Sequence, residues 1–166
     1  MPRINKREAP SNLLAVIRVR GRVDVRPGVQ HTLSLLRLHK SNHCVLVKNV
    51  TPIQGMLQVV KDWITWGEIN RETLEELLKK RAYLSEGKKG LSEEYVKENT
   101  SHESMDDLIE ALLATKVTTK EIKGLKPVFR LNPPRKGYSG VKKSYAKGGA
   151  LGYRGKAINE LLQQMI

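Results

Sequence analysis

Residues 13–20 read Leu13-Leu14-Ala15-Val16-Ile17-Arg18-Val19-Arg20 and stop at Gly21. A short apolar, partly β-branched run closed by glycine predicts a buried strand, and its C-terminal end carries arginines. Downstream, Arg22 to Gly28 forms a basic loop in which Pro27 can open a helix. Val29, Leu33 and Leu36 recur at helical spacing, with Thr32 and Leu35 on the flank, so a helix is expected to end near Leu38. Ser41-Asn42 reads as a turn and Cys44-Val45-Leu46-Val47-Lys48 as a second strand. Thr51-Pro52 pairs an N-cap threonine with proline at the first helical position, and Ile53, Met56, Leu57 and Val60 then form one apolar stripe. Ile64-Thr65-Trp66, closed by Gly67, is a short third strand. Residues 1–67 therefore read β-α-β-α-β, an α+β core whose sheet is covered by two helices on one face.

The rest of the chain divides by charge. Residues 68–119 read as a helical insert. Asn70 caps a helix with Glu72, Glu75 and Glu76 early and Lys79, Lys80 and Arg81 late, matching the helix dipole. Ser92 opens a short helix, and Ser104 opens a better one with Met105, Leu108, Ile109, Leu112 and Leu113 on one side. Residues 120–166 read as a basic, glycine-rich extension. It has a short strand within Lys126–Leu131 before Pro133-Pro134, and a terminal amphipathic helix carrying Ile158, Leu161, Leu162 and Met165.

The 166-residue chain carries a formal net charge of +13, which points to a polyanionic partner. Residues 1–67 hold eleven bases against three acids, residues 68–110 twelve acids against seven bases, and residues 120–156 eleven bases against Glu121 alone. This basic–acidic–basic order suggests two surfaces on the partner and one region turned away. Between Gly137 and Gly155, glycines are interleaved with Tyr138, Tyr145 and Tyr153. Glycine lets backbone approach closely, lysine and arginine neutralise phosphates, and tyrosine offers a flat face to a base or ribose, so structured RNA is the leading candidate.

The residues expected to contact RNA are Arg18, Arg20, Arg22, Arg26, Arg37, Lys40 and Lys48 in the core. In the extension they are Arg130, Arg135, Lys136, Tyr138, Lys142, Lys143, Tyr145, Lys147, Tyr153 and Arg154. Each has a plainer alternative: a solvated strand edge for the core arginines, and a flexible basic tail of nonspecific affinity for the extension. Thr51-Pro52-x-x-Gly55-Met56 also reads two ways. The helix N-terminus can receive a phosphate or ribose hydroxyl, or the motif is a cap in which Gly55 permits close packing.

Other chemistries find little support. His39, His43 and Cys44 match zinc spacings poorly, so no metal and no cofactor is expected. Gly148-Gly149-Ala150-Leu151-Gly152 lacks the lysine and hydroxyl of a phosphate loop, and no motif sets a nucleophile beside a base, so no enzyme or small-molecule substrate is expected. No stretch approaches the roughly 20 apolar residues of a membrane span. Met1 to Arg7 has no apolar segment behind its charges, and the one cysteine excludes an internal disulfide, which fits a reducing, intracellular home.

The segment Leu13 to Arg20, its basic loop, the helix around Thr32 to Leu38 and Thr51-Pro52-x-x-Gly55-Met56 together resemble large-subunit ribosomal protein thirty. Arg135-Lys136-Gly137-Tyr138 through Gly148 to Gly155 resembles the tail of the archaeal long form, whose eukaryotic counterpart is large-subunit protein seven. The resemblance implies a ferredoxin-like core with a three-stranded antiparallel sheet of order 3-1-2. It implies a structural, cytoplasmic component of the large ribosomal subunit that binds large-subunit rRNA and lies near 5S rRNA and neighbouring ribosomal proteins, bracing adjacent RNA domains. The alternative is a free nucleic-acid-binding factor, an RNA chaperone or chromatin protein.

Overall fold

A computed structural model of the chain describes residues 12–166, so the basic start from Met1 to Arg7 lies outside the described residues. The elements follow the order β1 (Leu13–Arg18), α1 (Pro27–Leu35), β2 (His43–Lys48), α2 (Thr51–Val59), β3 (Ile64–Glu68), α3 (Arg71–Arg81), α4 (Glu93–Asn99) and α5 (Met105–Leu113). There follow β4 (Val128–Arg130), β5 (Gly152–Tyr153) and α6 (Ile158–Met165). The β-α-β-α-β core is as expected. The sheet is larger: five strands in the order β4-β2-β1-β3-β5 rather than three. Its centre is the anticipated antiparallel trio with β1 in the middle, Leu14 opposite Val47 on β2 and Glu68 on β3. The extension supplies both edges, β4 antiparallel to β2 and β5 parallel to β3. β4 falls within the strand expected at Lys126–Leu131, whereas β5, at two residues, is too short to show alternation and only its tertiary position makes it a strand.

All six residues of β1 are buried because the sheet is covered on both faces. Leu14 and Val16 pack with Leu33 and Leu36 of the α1 region and with Leu57 and Val60 of the α2 region. Leu13, Ala15 and Ile17 pack on the other face with Leu74, Leu77 and Leu78 of α3, Leu108 and Leu112 of α5, and Leu162 and Met165 of α6. Phe129 of β4, with no exposed surface, joins the second cluster. The acidic helices are therefore amphipathic covers. Their apolar stripes close the sheet and their carboxylates face outward, where Arg71 bridges to Asp106 and Glu110 across α3 and α5.

Helix starts follow side-chain chemistry in three of the four expected places. Asn70, Ser92 and Ser104 accept hydrogen bonds from the backbone N–H groups of Thr73, Tyr95 and Asp107. The exception is α2. Val50 occupies the cap position without a side-chain bond, and Thr51 is already helical, so proline at the second position and the Gln54 N–H to Val50 carbonyl bond define that start. Asn159 on α6 ties the last helix to the core. Its side chain accepts from the Asn70 N–H at 2.9 Å and donates to the Glu68 carbonyl at 3.1 Å. Gly67, expected to close β3, lies inside it instead. A Cβ there would stand 2.0 Å from the Gly155 carbonyl oxygen, so glycine is what lets the extension cross the strand.

Candidate nucleic-acid interface

The C-terminal end of β1 is the meeting point of the two cationic segments. Asn42 donates its backbone N–H to the Arg18 carbonyl at 2.7 Å, and Leu131 donates to the Asn42 carbonyl, which seats β4 and Arg130 beside the 37–43 turn. Tyr138 donates its hydroxyl to Asn42 Oδ1 at 2.6 Å. A small apolar cluster of Val19, Ala150 and Leu151, with Tyr138 against it, pins the glycine-rich segment to the end of β1. Residues more than a hundred positions apart thus share one end of the sheet.

The extension is a folded loop at this place. Leu151 donates to the Lys143 carbonyl, Tyr145 donates to the Leu151 carbonyl, and Ala150 donates to the Gly140 carbonyl, closing the chain around a 3-10 turn at Tyr145–Lys147. Gly149 is required there, because a Cβ would lie 2.0 Å from the Lys143 carbonyl oxygen. Lys142, Lys143 and Lys147 project from this loop into solvent. Arg135 and Lys136 are exposed just before Tyr138, whose own hydroxyl is half-buried and raised in pKa chiefly by desolvation.

The expected site residues divide by what their charged groups do. Arg22, Arg26, Arg37 and Lys40 are exposed on the loops of this end and on the approach to α1. Arg20 is half-buried, its guanidinium 4.3 Å from the centre of the Trp63 ring and donating to the Asp62 carbonyl at 3.4 Å. Arg130 is exposed over Tyr83 at 5.6 Å, alongside Lys126 at 4.8 Å. This aromatic seat and Lys126 were not anticipated; a tyrosine within an acidic insert gives no signal in the sequence. Arg18 is a different object. It has no exposed surface, and its guanidinium donates to the carbonyls of Leu38 at 2.7 Å, Gly21 at 2.8 Å and Arg20 at 2.9 Å. Its charge is consumed in holding the loop on which Arg20 and Arg22 stand. Arg154 is likewise turned inward. It donates to Thr65 Oγ1 and to the Ala150 carbonyl, both at 2.8 Å, beneath the exposed ring of Tyr145. Burial lowers the pKa of both arginines, first among its causes.

Two expected residues lie away from this end. Lys48 is at the far end of β2, opposite Leu13. Tyr153 sits on the β3 edge with its hydroxyl donated to Glu68 Oε1 at 2.6 Å. Among the described residues no group of His, Cys, Asp and Glu is arranged to hold a metal ion, and no helix is long and apolar enough to cross a membrane. Cys44 is fully buried, with its thiol pushed up to about 12 by desolvation.

His43 reports the potential of the cationic end. Burial lowers its pKa most, and Arg130, His39, Lys40 and Arg18 lower it further by repulsion. An unfolded chain binds this proton more readily, at about pH 6.5, so stability is expected to fall as pH drops through that value toward the folded pKa. A bound polyanion cancels the repulsion. The His43 titration midpoint is therefore expected to rise on binding, with proton uptake and tighter association as pH falls toward 6. An NMR titration with and without an RNA fragment checks this, and an unmoved midpoint would put the anion elsewhere.

The family described as ribosomal protein L30p/L7e matches residues 14–64, the span of the β-α-β-α-β core. Similarity to curated relatives runs much further. The large ribosomal subunit protein uL30 of Nanoarchaeum equitans is 52% identical over 156 residues, covering 93% of this chain and 99% of the relative. That of Thermoplasma acidophilum is 49% identical over 154 residues, covering 93% of each. That of Archaeoglobus fulgidus is 48% identical over 153 residues, covering 92% of this chain and 99% of the relative. Insert and extension are thus shared with these proteins along with the core.

Proposed function

The chain belongs to the ribosomal protein L30p/L7e family, and from that premise we propose that it clamps folded rRNA in the large ribosomal subunit through the cationic end of its sheet. The relatives that it matches along nearly their whole length are named as large ribosomal subunit proteins. The observation that carries the reading is the convergence of the 20–26 and 37–43 segments with the 130–147 segment at one end, through Asn42, Tyr138 and the Val19 cluster. A rigid constellation of exposed cations suits neighbouring RNA helices held in one relative orientation. Phosphate contacts set position, and RNA shape supplies specificity.

In this reading residues 1–67 and 120–166 act together on RNA, and the acidic outer faces of the 68–119 insert point to solvent or to neighbouring ribosomal proteins. The position is near 5S rRNA, in the cytoplasmic ribosome, and the protein turns nothing over. The contacts are made by Arg20, Arg22, Arg26, Arg37, Lys40, Arg130, Arg135, Lys136, Lys142, Lys143 and Lys147, with Tyr145 available as a stacking face. Arg18 and Arg154 position the loops that carry the others.

The test is ultraviolet crosslinking of the full chain in intact large subunits, combined with sedimentation after a high-salt wash. The protein is expected to stay with the particle, with crosslinks from the 20–26, 37–43 and 130–147 segments reaching large-subunit RNA close to 5S rRNA. Release into the free fraction would favour a dissociable RNA-binding factor and overturn the clamp.

A further inference from the structure

The cationic end makes no use of Thr51-Pro52-x-x-Gly55-Met56, and packing does not explain its glycine. In one of the two readings of the motif Gly55 permits close packing, yet a Cβ built there meets nothing within 4 Å. Its φ is outside the left-handed region, so the backbone does not require glycine either. Glycine is the least favourable residue after proline in a helix interior, and this one sits in the middle of α2.

The missing side chain keeps open a cleft of about 590 Å³ between α2 and the β3–β5 edge, within the size range of sites for small planar ligands. Asn49, Gln54 and Gln58, three carboxamide side chains, are among its lining. Gln54 Nε2 donates to Asn49 Oδ1 at 2.7 Å, which leaves Gln54 Oε1 as an acceptor and Asn49 Nδ2 as a donor. On the opposite wall stands Tyr153, 55% exposed, its ring tilted against nearly buried Trp66 at a centroid distance of 6.3 Å. The Tyr153 hydroxyl bond to Glu68 fixes that ring. No lysine or arginine lines the cleft, and Glu68 is its acid, so a phosphate is disfavoured there. Carboxamides opposite an aromatic face are suited to a nucleobase: the first read donor–acceptor edges, and the second stacks.

We propose that this cleft receives one unpaired nucleobase of rRNA, its face laid on Tyr153 and its edge hydrogen-bonded by the amides of Gln54 and Gln58. The proposal rests on the rRNA-binding reading above. It adds a base-reading contact to a surface that otherwise grips phosphates, and it gives Tyr153 a role away from the cationic end.

The test is binding of full-length protein to large-subunit rRNA, with chemical probing of base edges by dimethyl sulfate, for the native chain, Gly55→Leu and Gln58→Leu. Gly55→Leu is expected to melt no lower than the native protein, because leucine is the better helix former. It is expected to bind about tenfold more weakly, as the loss of one stacked base implies, with the salt dependence unchanged. Protection of one or two unpaired bases should vanish in both variants. Native affinity and native protections in both variants would overturn the proposal. So would normal RNA binding combined with poor retention in particles, which would assign the cleft to a neighbouring protein. If the native chain itself shows no salt-dependent rRNA binding, the underlying reading falls and takes this one with it, a result recognisable because it is independent of residue 55.

Discussion

Replacing Lys142, Lys143 and Lys147 together by glutamine is expected to weaken binding to large-subunit rRNA roughly a hundredfold near 0.1 M salt and to flatten the slope of log affinity against log salt by about two to three units. All three lysines are exposed and stand on the loop closed by the Leu151 to Lys143 and Tyr145 to Leu151 backbone bonds, so their positions are fixed before RNA arrives. Among the described residues none of them is in an ion pair. Their removal therefore frees no buried carboxylate, and the fold should be unaffected. The matched control is Glu72, Glu75 and Glu76 to glutamine on α3. Glu75 and Glu76 pair with Lys79 and Lys80 one turn on, and the change alters net charge by the same amount in the opposite sense. It acts on a face the clamp does not use, so binding should tighten by no more than a few fold. Filter binding across a salt series reads both, and equal-sized effects would mean that the RNA lies against the acidic helices instead.

Much of this was legible in the chain because it depends on local chemistry. Leu13 to Arg18 announces a buried strand, Pro27 opens α1, and Asn70, Ser92 and Ser104 cap their helices, each a property of a few adjacent residues. Thr51 shows the limit of such signals: Pro52 marks the start correctly, but the cap belongs to Val50. What escaped notice was long-range. Gly152 and Tyr153 become a strand only because β3 offers an open edge beside which Arg154 can donate its N–H to the Trp66 carbonyl. Gly67 ends nothing; it makes room for Gly155, 88 residues later in a chain whose local pattern gives no hint of the crossing. The candidate site followed the same division. Exposed lysines and arginines in turns were found by composition. Arg18 and Arg154 carry the same charge in the same segments, and only the fold shows that their guanidinium groups are turned inward.

The acidic middle of the chain acquires a physical role from the same packing. Its apolar stripes cover the sheet face formed by Leu13, Ala15 and Ile17, so β1 can be buried at every position and leave no greasy surface. Several of its carboxylates are paired among the helices themselves, Asp106 and Glu110 with Arg71, Glu75 with Lys79 and Glu76 with Lys80. Under the proposed clamp, positive charge gathers where RNA would be held, and the acidic helices would discourage RNA from lying across them.

Arg18→Met is expected to lower stability by about 3–5 kcal/mol, a large share of what a domain of this size possesses. The guanidinium satisfies the carbonyls of Leu38, Gly21 and Arg20, and methionine keeps the stem but none of the five donors, so three acceptors are left without partners at about 1–3 kcal/mol each where they are buried. Lysine should restore little, because one ammonium on a flexible stem cannot reproduce a planar fork aimed at three oxygens. The loop from Gly21 to Arg26 and the end of α1 are expected to loosen first, since both are tied to this side chain. Thermal melting and amide hydrogen exchange at residues 19–26 and 36–40 measure the effect. RNA binding discriminates the two roles open to this arginine. If it positions the loop, Arg18→Met loses affinity only as far as the loop disorders, and the salt slope stays within one unit of native. If it also grips a phosphate directly, the slope falls by about one unit on top of the same loss of stability. That second pattern would mean that the three carbonyls give up their donors when RNA binds, and that the buried arginine belongs to the clamp itself.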